Sequence, residues 1–320
     1  MASLRAALLC LLVAPLLALA QAYPGKPIHL VVPYPPGGST DLLARSVAIK
    51  LGESLQQQIV VENRGGGGGT LGSGIVARSA PDGYTLLLGT NATHTLAMFF
   101  IKGLQYDPVK DFTPITAGVV VPIALAVHTS VPANNAKEFV EWAKRNPTKV
   151  SFGSSGTGSP HHLAGELLNQ VAGINMVHVP YKGAGPSMQD LVGGQIPAVF
   201  TTLSTALPQA KNGKIKIIGM AEPMRQPTAP DVPAIGESVP GYAMPVSWLG
   251  FFGPAGLPEP ILQRLNTEMV RALHDPETRA RLEAGGMPVL GNSVEEFRAM
   301  IRNDIETFRR ITTVAGIKAE

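Results

Sequence analysis

Val31-Val32-Pro33-Tyr34-Pro35-Pro36-Gly37-Gly38-Ser39-Thr40-Asp41 is the stretch that decides the fold of this 320-residue chain. The apolar run 28–32 that leads into it reads as a buried strand. Proline and glycine end that strand, since proline has no N–H for a ladder and glycine turns at little steric cost. Ser39, Thr40 and Asp41 then open Leu42-Leu43-Ala44-Arg45-Ser46-Val47-Ala48, whose apolar positions recur at helical spacing. A strand, a glycine turn and a helix N-terminus in that order put unpaired N–H groups and a short hydroxyl at the C-terminal edge of a sheet, where an anion can sit. A second loop of this kind occupies 151–166, and the two are expected to face each other across a cleft.

Outward from the first loop, strands alternate with helices. A short strand at 59–62 precedes five consecutive glycines, Gly65 to Gly69, and a helix over 70–80. Pro81-Asp82-Gly83 turns the chain into a strand at 84–88. This alternation predicts an α/β chain with a mainly parallel sheet flanked by helices. Strand-like segments at 115–127, broken by Gly118 and Pro122, mark the crossing into a second lobe. There the helix 135–145 carries Phe139 and Trp142 on one face, and a strand at 150–153 runs into the loop 154–162, with Ser159 as cap and Pro160 at the first helical position. Strands at 176–179, 196–200 and 215–219 and a helix at 187–192 follow. The run 246–252 leads back, and three amphipathic helices (261–273, 275–283, 294–310) are expected over the first lobe's sheet. The resulting division is a signal segment at 1–22, a first lobe at 23–124 with 246–320, and a second lobe at 125–245.

Composition narrows the classes. The chain is 45% hydrophobic and only 15% charged, with 35 Gly and 28 Pro set between apolar runs, which describes folded lobes with shaped loops and not a disordered linker. Residues 1–22 have Arg5, an apolar run from Ala6 to Ala20 and A-x-A sequences at Ala18-Leu19-Ala20 and Ala20-Gln21-Ala22, the pattern of a cleaved secretory signal. The sole cysteine, Cys10, lies inside that run. Without Arg5 the basic and acidic counts are 25 and 23, and no basic cluster appears, so nucleic acid is not an expected partner. No later apolar run is long enough to span a bilayer.

The glycine run is no nucleotide loop. It ends in Thr70-Leu71 where a P-loop needs Gly-Lys-Ser/Thr, and the strand at 84–88 leads to Thr90-Asn91 with no acidic residue for a ribose. Two readings stay open for it: close packing that admits no side chain, or backbone donors lent to the cleft. Thr90 and Asn91 are candidate ligand contacts, whereas His94 is as well read as a local cap. For hydrolysis, Ser155 would need His161, His162 or His178 as base and Asp190 or Asp231 as orienter, yet no Gly-x-Ser-x-Gly elbow is present. Adjacent His161 and His162 point about 100° apart on a helix and suit no metal; one is expected to face the cleft or solvent while the other packs. Lys182 is the one cation near a candidate cleft loop, and a solvated lysine is the plainer reading of it.

Tyr23-Pro24-Gly25-Lys26-Pro27-Ile28, Pro35-Pro36-Gly37-Gly38-Ser39-Thr40-Asp41, Asn63-Arg64-Gly65-Gly66-Gly67, Ala80-Pro81-Asp82-Gly83-Tyr84-Thr85-Leu86, His162-Leu163-Ala164-Gly165-Glu166 and Val179-Pro180-Tyr181-Lys182-Gly183 together resemble the Bug family of periplasmic solute receptors linked to tripartite tricarboxylate transporters. The resemblance covers nearly all of the mature chain. It implies a two-lobed, type II-like Venus flytrap of the periplasmic-binding-protein fold, no catalysis, no cofactor and no metal. It implies a small di- or tricarboxylate, acidic amino acid or aromatic acid as ligand, held by backbone and hydroxyl donors, often with ordered water. The membrane components of such a transporter would receive it; a sensor kinase is an alternative partner. Carried onto this sequence, the ligand set is Tyr34, Pro36, Gly38, Ser39 and Asp41 with Thr90 and Asn91, facing Ser155, Thr157, Gly158, His161 and Tyr181, and Thr201 at the end of the strand 196–200. Asp41 is expected to organise its loop, capping its helix or orienting water, because a carboxylate would repel an acidic ligand. After Gly193-Gly194-Gln195 the family commonly has a hydrophobic residue and then Asp. This chain has Ile196-Pro197-Ala198, which disfavours an amino acid as ligand.

Overall fold

The structure, a computed structural model, describes residues 23–147 and 150–314. The expected signal segment at 1–22 lies outside the described residues.

In the first half, β1 (Ile28–Val32), α1 (Ser39–Leu55), β2 (Ile59–Asn63), α2 (Thr70–Ala77), β3 (Thr85–Thr90), the short α3 (Ala97–Phe100) and β4 (Phe112–Val120) follow in order. The chain then builds β5 (Ile123–His128), α4 (Ala136–Arg145), β6 (Ser151–Ser154), α5 (Pro160–Ala172), β7 (Val177–Pro180), α6 (Ala184–Val192), β8 (Ala198–Thr202), α7 (Leu203–Lys211) and β9 (Ile215–Met220). It returns through β10 (Trp248–Pro254) and closes with α8 (Glu259–His274), α9 (Pro276–Ala284) and α10 (Val294–Val314).

Two five-stranded sheets result, ordered β2-β1-β3-β10-β4 and β7-β6-β8-β5-β9. In each, four strands share one direction, while the strand by which the chain arrives from the other half, β10 or β5, is antiparallel to both its neighbours. Both sheets thus have one topology, and their strands are near-continuous apolar runs because helices cover both faces. This is the expected two-lobed α/β fold. Among the described residues no helix is long and apolar enough to cross a membrane.

Two readings need correction. Gly118 does not break its strand; it stays in β4 as a bulge, the extra residue where Val119 pairs with Leu249 and Ala117 with Gly250. Only Pro122 ends the ladder. The closing helices also do not all lie over the first sheet. α8 and α9 pack there through Leu262, Leu265, Met269 and Leu282. α10 spans both halves: Phe297, Ile301 and Ile305 join the core around Trp248 and Phe252, while Phe308 and Ile311 enter the core of the second sheet. A single amphipathic stripe cannot tell one apolar partner from two.

The crossings between the sheets run side by side. The Val121 N–H donates to the Ser247 carbonyl at 2.7 Å, and the Ala221 N–H to that of Ile123 at 2.8 Å. The Ile123 N–H donates to Oε1 of Glu222 at 2.9 Å. Glu222 is fully buried, and burial pushes its carboxyl up to about 7.

Close helix–sheet contact depends on Gly165 of α5, where a Cβ would lie inside the ring of Phe152 on β6. Gly165→Ala is expected to destabilise the protein by about 1–3 kcal/mol, lowering Tm by several degrees in a calorimetric scan.

Candidate functional site

β1 is stopped by Pro33, Pro35 and Pro36, and Gly37 then takes a φ of +91° that favours glycine. Gly38 is the N-cap of α1 and supplies no side chain to its first-turn N–H groups, which are left for a ligand or water. Asp41 holds the loop from behind. Its Oδ2 accepts from the Gly37 N–H at 3.2 Å and Arg45 Nε at 3.0 Å, and its Oδ1 from Asn63 Nδ2 at 3.1 Å. The Arg45 hydrogen bond, helped by those of Gly37 and Asn63, lowers the pKa of Asp41. Asn63 Nδ2 also donates to the Tyr34 carbonyl at 3.1 Å, joining β2 to the loop. The Tyr34 hydroxyl lies 3.1 Å from both the Gly68 carbonyl and Thr90 Oγ1, so the glycine run, the loop and the end of β3 share one ring.

On the facing loop, Gly156 and Gly158 take φ of +133° and +75°. Ser159 caps α5, its Oγ accepting from the His162 N–H at 3.2 Å, with Pro160 following it. Ser155 Oγ and His161 Nδ1 are 2.7 Å apart. Between these loops lies a cleft of about 820 Å³, within the range of small-molecule sites. The N-termini of α1, α5, α6 and α7 border it at Ser39, Pro160, Ala184 and Thr202, and Phe100, Ile101, Val121 and Leu249 give it an apolar wall. Its lining contains Lys182 and no Asp or Glu. Converging helix N-termini with no fixed negative charge favour an anion.

The structure brings most of the candidates together. Tyr34, Pro36, Gly38, Ser39, Thr90, Asn91, Ser155, Thr157, Gly158 and His161 all line the cleft. Asp41 is behind the loop, as an organiser of the turn and not a cap of the helix end. Tyr181 turns its hydroxyl to Asp190 Oδ2 at 2.7 Å, away from the lining. Thr201 is fully buried in β8, and its neighbour Thr202 reaches the cleft because successive strand residues point to opposite faces. The close-packing reading of the glycine run holds, and the run also borders the cleft. Gly66 to Thr70 line the cleft, and a Cβ on Gly69 would meet Thr93 at 2.7 Å and the Tyr34 hydroxyl at 2.9 Å. Lys182 is exposed yet lines the cleft with no ion-pair partner among the described residues. Sequence reasoning missed Ser247, whose Oγ donates to Asn91 Oδ1 at 3.2 Å, because the return segment carries no local motif.

The parts of a hydrolase are dispersed. His161 meets Ser155, His178 meets Ser154, and His162 lies 3.8 Å from Glu166. Asp190 is engaged by Tyr181, and burial pulls His161 down to about 4. No carboxylate bonds His161 among the described residues. Nor do the described residues group three or more His, Cys, Asp or Glu as a metal site. His94, fully buried, stacks on Phe252 with ring centroids 3.9 Å apart.

Two lobes with a donor-lined cleft between them describe the class of solute-binding proteins. More particularly, the chain belongs to the tripartite tricarboxylate transporter receptor family, TctC, whose pattern matches residues 43–317. Among curated relatives, a UPF0065 protein of Bordetella bronchiseptica is 36% identical over 94% of this chain and 89% of its own. BugT of Bordetella pertussis is 32% identical over 93% and 92%. Among solved structures, an R. palustris protein with adipate has a TM-score of 0.85 and 31% identity, with 93% of this chain and 100% of that one covered. MatC from Rhodopseudomonas palustris with bound malate has a TM-score of 0.80 and 33% identity, covering 92% and 100%.

Proposed function

We propose that this protein is a periplasmic receptor that captures a small organic carboxylate between its lobes and delivers it to the membrane components of a tripartite tricarboxylate transporter. The observation that carries the reading is the pair of donor-rich loops facing one cleft whose lining holds no carboxylate. A carboxylate there would accept charge-assisted bonds from first-turn N–H groups and hydroxyls, with Lys182 as a mobile counter-charge at the rim. The ligand-contact set in this reading is Tyr34, Pro36, Gly38, Ser39, Thr90 and Asn91 with Ser155, Thr157, Gly158 and His161, joined by Thr202. The lobes, 23–124 with 246–320 and 125–245, would close by bending the paired crossings near Val121 and Ser247, which excludes water and presents a new surface to the transporter. Residues 1–22 would direct export and be removed.

Adipate and malate in the neighbouring structures support the ligand class. With no acidic residue in the lining, the ammonium of an amino acid has no counter-charge, so diacids without an amine are favoured over aspartate and glutamate. Calorimetry with organic acids and their carboxamides tests this. An acid is expected to bind at least about tenfold more tightly than its amide, the worth of a charge-assisted bond. Equal affinity for acid and amide, or binding of aspartate but of no simple diacid, would overturn the reading.

A further inference from the structure

Three histidines, His161 in the cleft lining and His162 and His178 behind it, are each tied to one residue of the second-lobe loop. Ser154 Oγ lies 2.7 Å from His178 Nε2, and Ser155 Oγ lies 2.7 Å from His161 Nδ1. The Gly158 N–H donates to His162 Nδ1 at 3.2 Å. That last bond fixes a tautomer. An N–H pointing at Nδ1 requires a lone pair there, so the ring proton is on Nε2, on the side of Glu166 Oε1 at 3.8 Å. His162 also stacks on His178, with centroids 3.8 Å apart and planes 13° from parallel, and lies against Phe100. Two charged rings could not share that stack. Burial holds His162 and His178 at about 4, so both are neutral at ordinary pH.

Gly158 needs such a hold. It lines the cleft at a φ of +75°, and the space where a Cβ would sit is closed by Phe100 at 3.0 Å. Helix α5 does not supply the hold, since Gly158 precedes the capping Ser159.

We propose that His162 is a positioning residue for ligand binding: as a neutral hydrogen-bond acceptor it sets the Gly158 peptide, and with it the loop from Ser155 to His161, in the shape that faces the first lobe. His178 steadies it from the far face of the stack and ties down Ser154 at the start of the same loop. His162 touches no ligand in this account; it acts through Gly158. The role in binding rests on the receptor reading above, whereas the hold on Gly158 does not.

The test compares His162→Asn, whose Oδ1 can take the place of Nδ1, with His162→Leu, which fills space but accepts no hydrogen bond. Tm establishes that each variant folds. Amide exchange of Gly158, read by NMR in ligand-free protein, is expected to be about tenfold faster in His162→Leu, the worth of one half-buried hydrogen bond, and within about threefold of the parent in His162→Asn. Calorimetry with adipate should show the same order, with His162→Leu about tenfold weaker than His162→Asn. Both variants lose the stack on His178, and a role in packing alone would favour the larger, apolar leucine, the reverse of the expected order. Gly158 exchange as slow in His162→Leu as in the parent, or as fast in His162→Asn as in His162→Leu, would overturn the proposal. A parent protein that binds no carboxylate would instead count against the receptor reading, and the exchange data would still decide the role of His162.

Discussion

Raising the pH from 5 to 8 is expected to destabilise the parent by several kcal/mol relative to the double variant Glu222→Gln, Asp304→Asn, whose side chains cannot ionise. Glu222 sits between the crossings, and Asp304, on α10, accepts through Oδ2 from Trp248 Nε1 at 2.6 Å. Burial raises both, from 4.5 and 3.8 to about 7. Between the unfolded and folded values the native state holds more protons than the unfolded chain, so each group's contribution is whole below its unfolded value and is lost as pH rises through about 7. For groups this buried the contribution is of order 2–3 kcal/mol each. The amides keep the acceptors for Ile123 and Trp248 but cannot ionise. Chemical denaturation of both proteins at several pH values checks it, since the buried His94, His161, His162 and His178, which pull the slope the other way, cancel in the difference; a double variant with the parent's slope would show that the two carboxyls are not held neutral. Asp41, Glu62 and Glu237 have lowered values, and their contributions are lost as pH falls, in a separate acidic window.

Asp41→Ala is expected to weaken carboxylate binding by between about thirty- and a hundredfold, while costing the fold only about 1–2 kcal/mol. The two effects separate because the groups it releases differ in exposure. Arg45 and Gly37 are exposed and regain water cheaply, so stability changes little. The loop, however, loses three bonds that together fix Gly37, Asn63 and the start of α1. A turn that must be ordered on binding pays conformational entropy that the intact turn has already met. Calorimetry and thermal denaturation on the same preparations separate the two quantities. Unchanged affinity would mean that Asp41 does not organise the ligand loop.

Much of this architecture was legible in the chain because its signals are local. The apolar run before Pro33, the glycines, and Ser39 opening a periodic segment specify a strand, turn and helix without help from elsewhere. Ser159-Pro160 does the same for the second loop. What sequence missed depends on partners far along the chain. Thr201 and Thr202 differ only in which face of β8 each occupies, and the register against β5 decides that. α10 shows one apolar stripe whether it meets one core or two. Gly118 looks like a break until its antiparallel partner β10 absorbs it as a bulge. Glu222 follows a strand as any polar terminator does, and only the opposing Ile123 N–H reveals a buried carboxyl. His178 has no motif linking it to His162; the stack exists because β7 lies beside β6 and α5 covers both.

The central claim is that opposed donor-rich turns in one cleft grip an acid. The most direct measurement is a crystal structure of the protein with the tightest-binding acid from the calorimetric series. The account predicts a carboxylate within about 3 Å of the first-turn N–H groups at Ser39 and Thr40 and of donors in the loop from Ser155 to His161. A carboxylate found instead in the hollow beside Lys50, Arg271 and His274, on the outside of the first lobe, would contradict it.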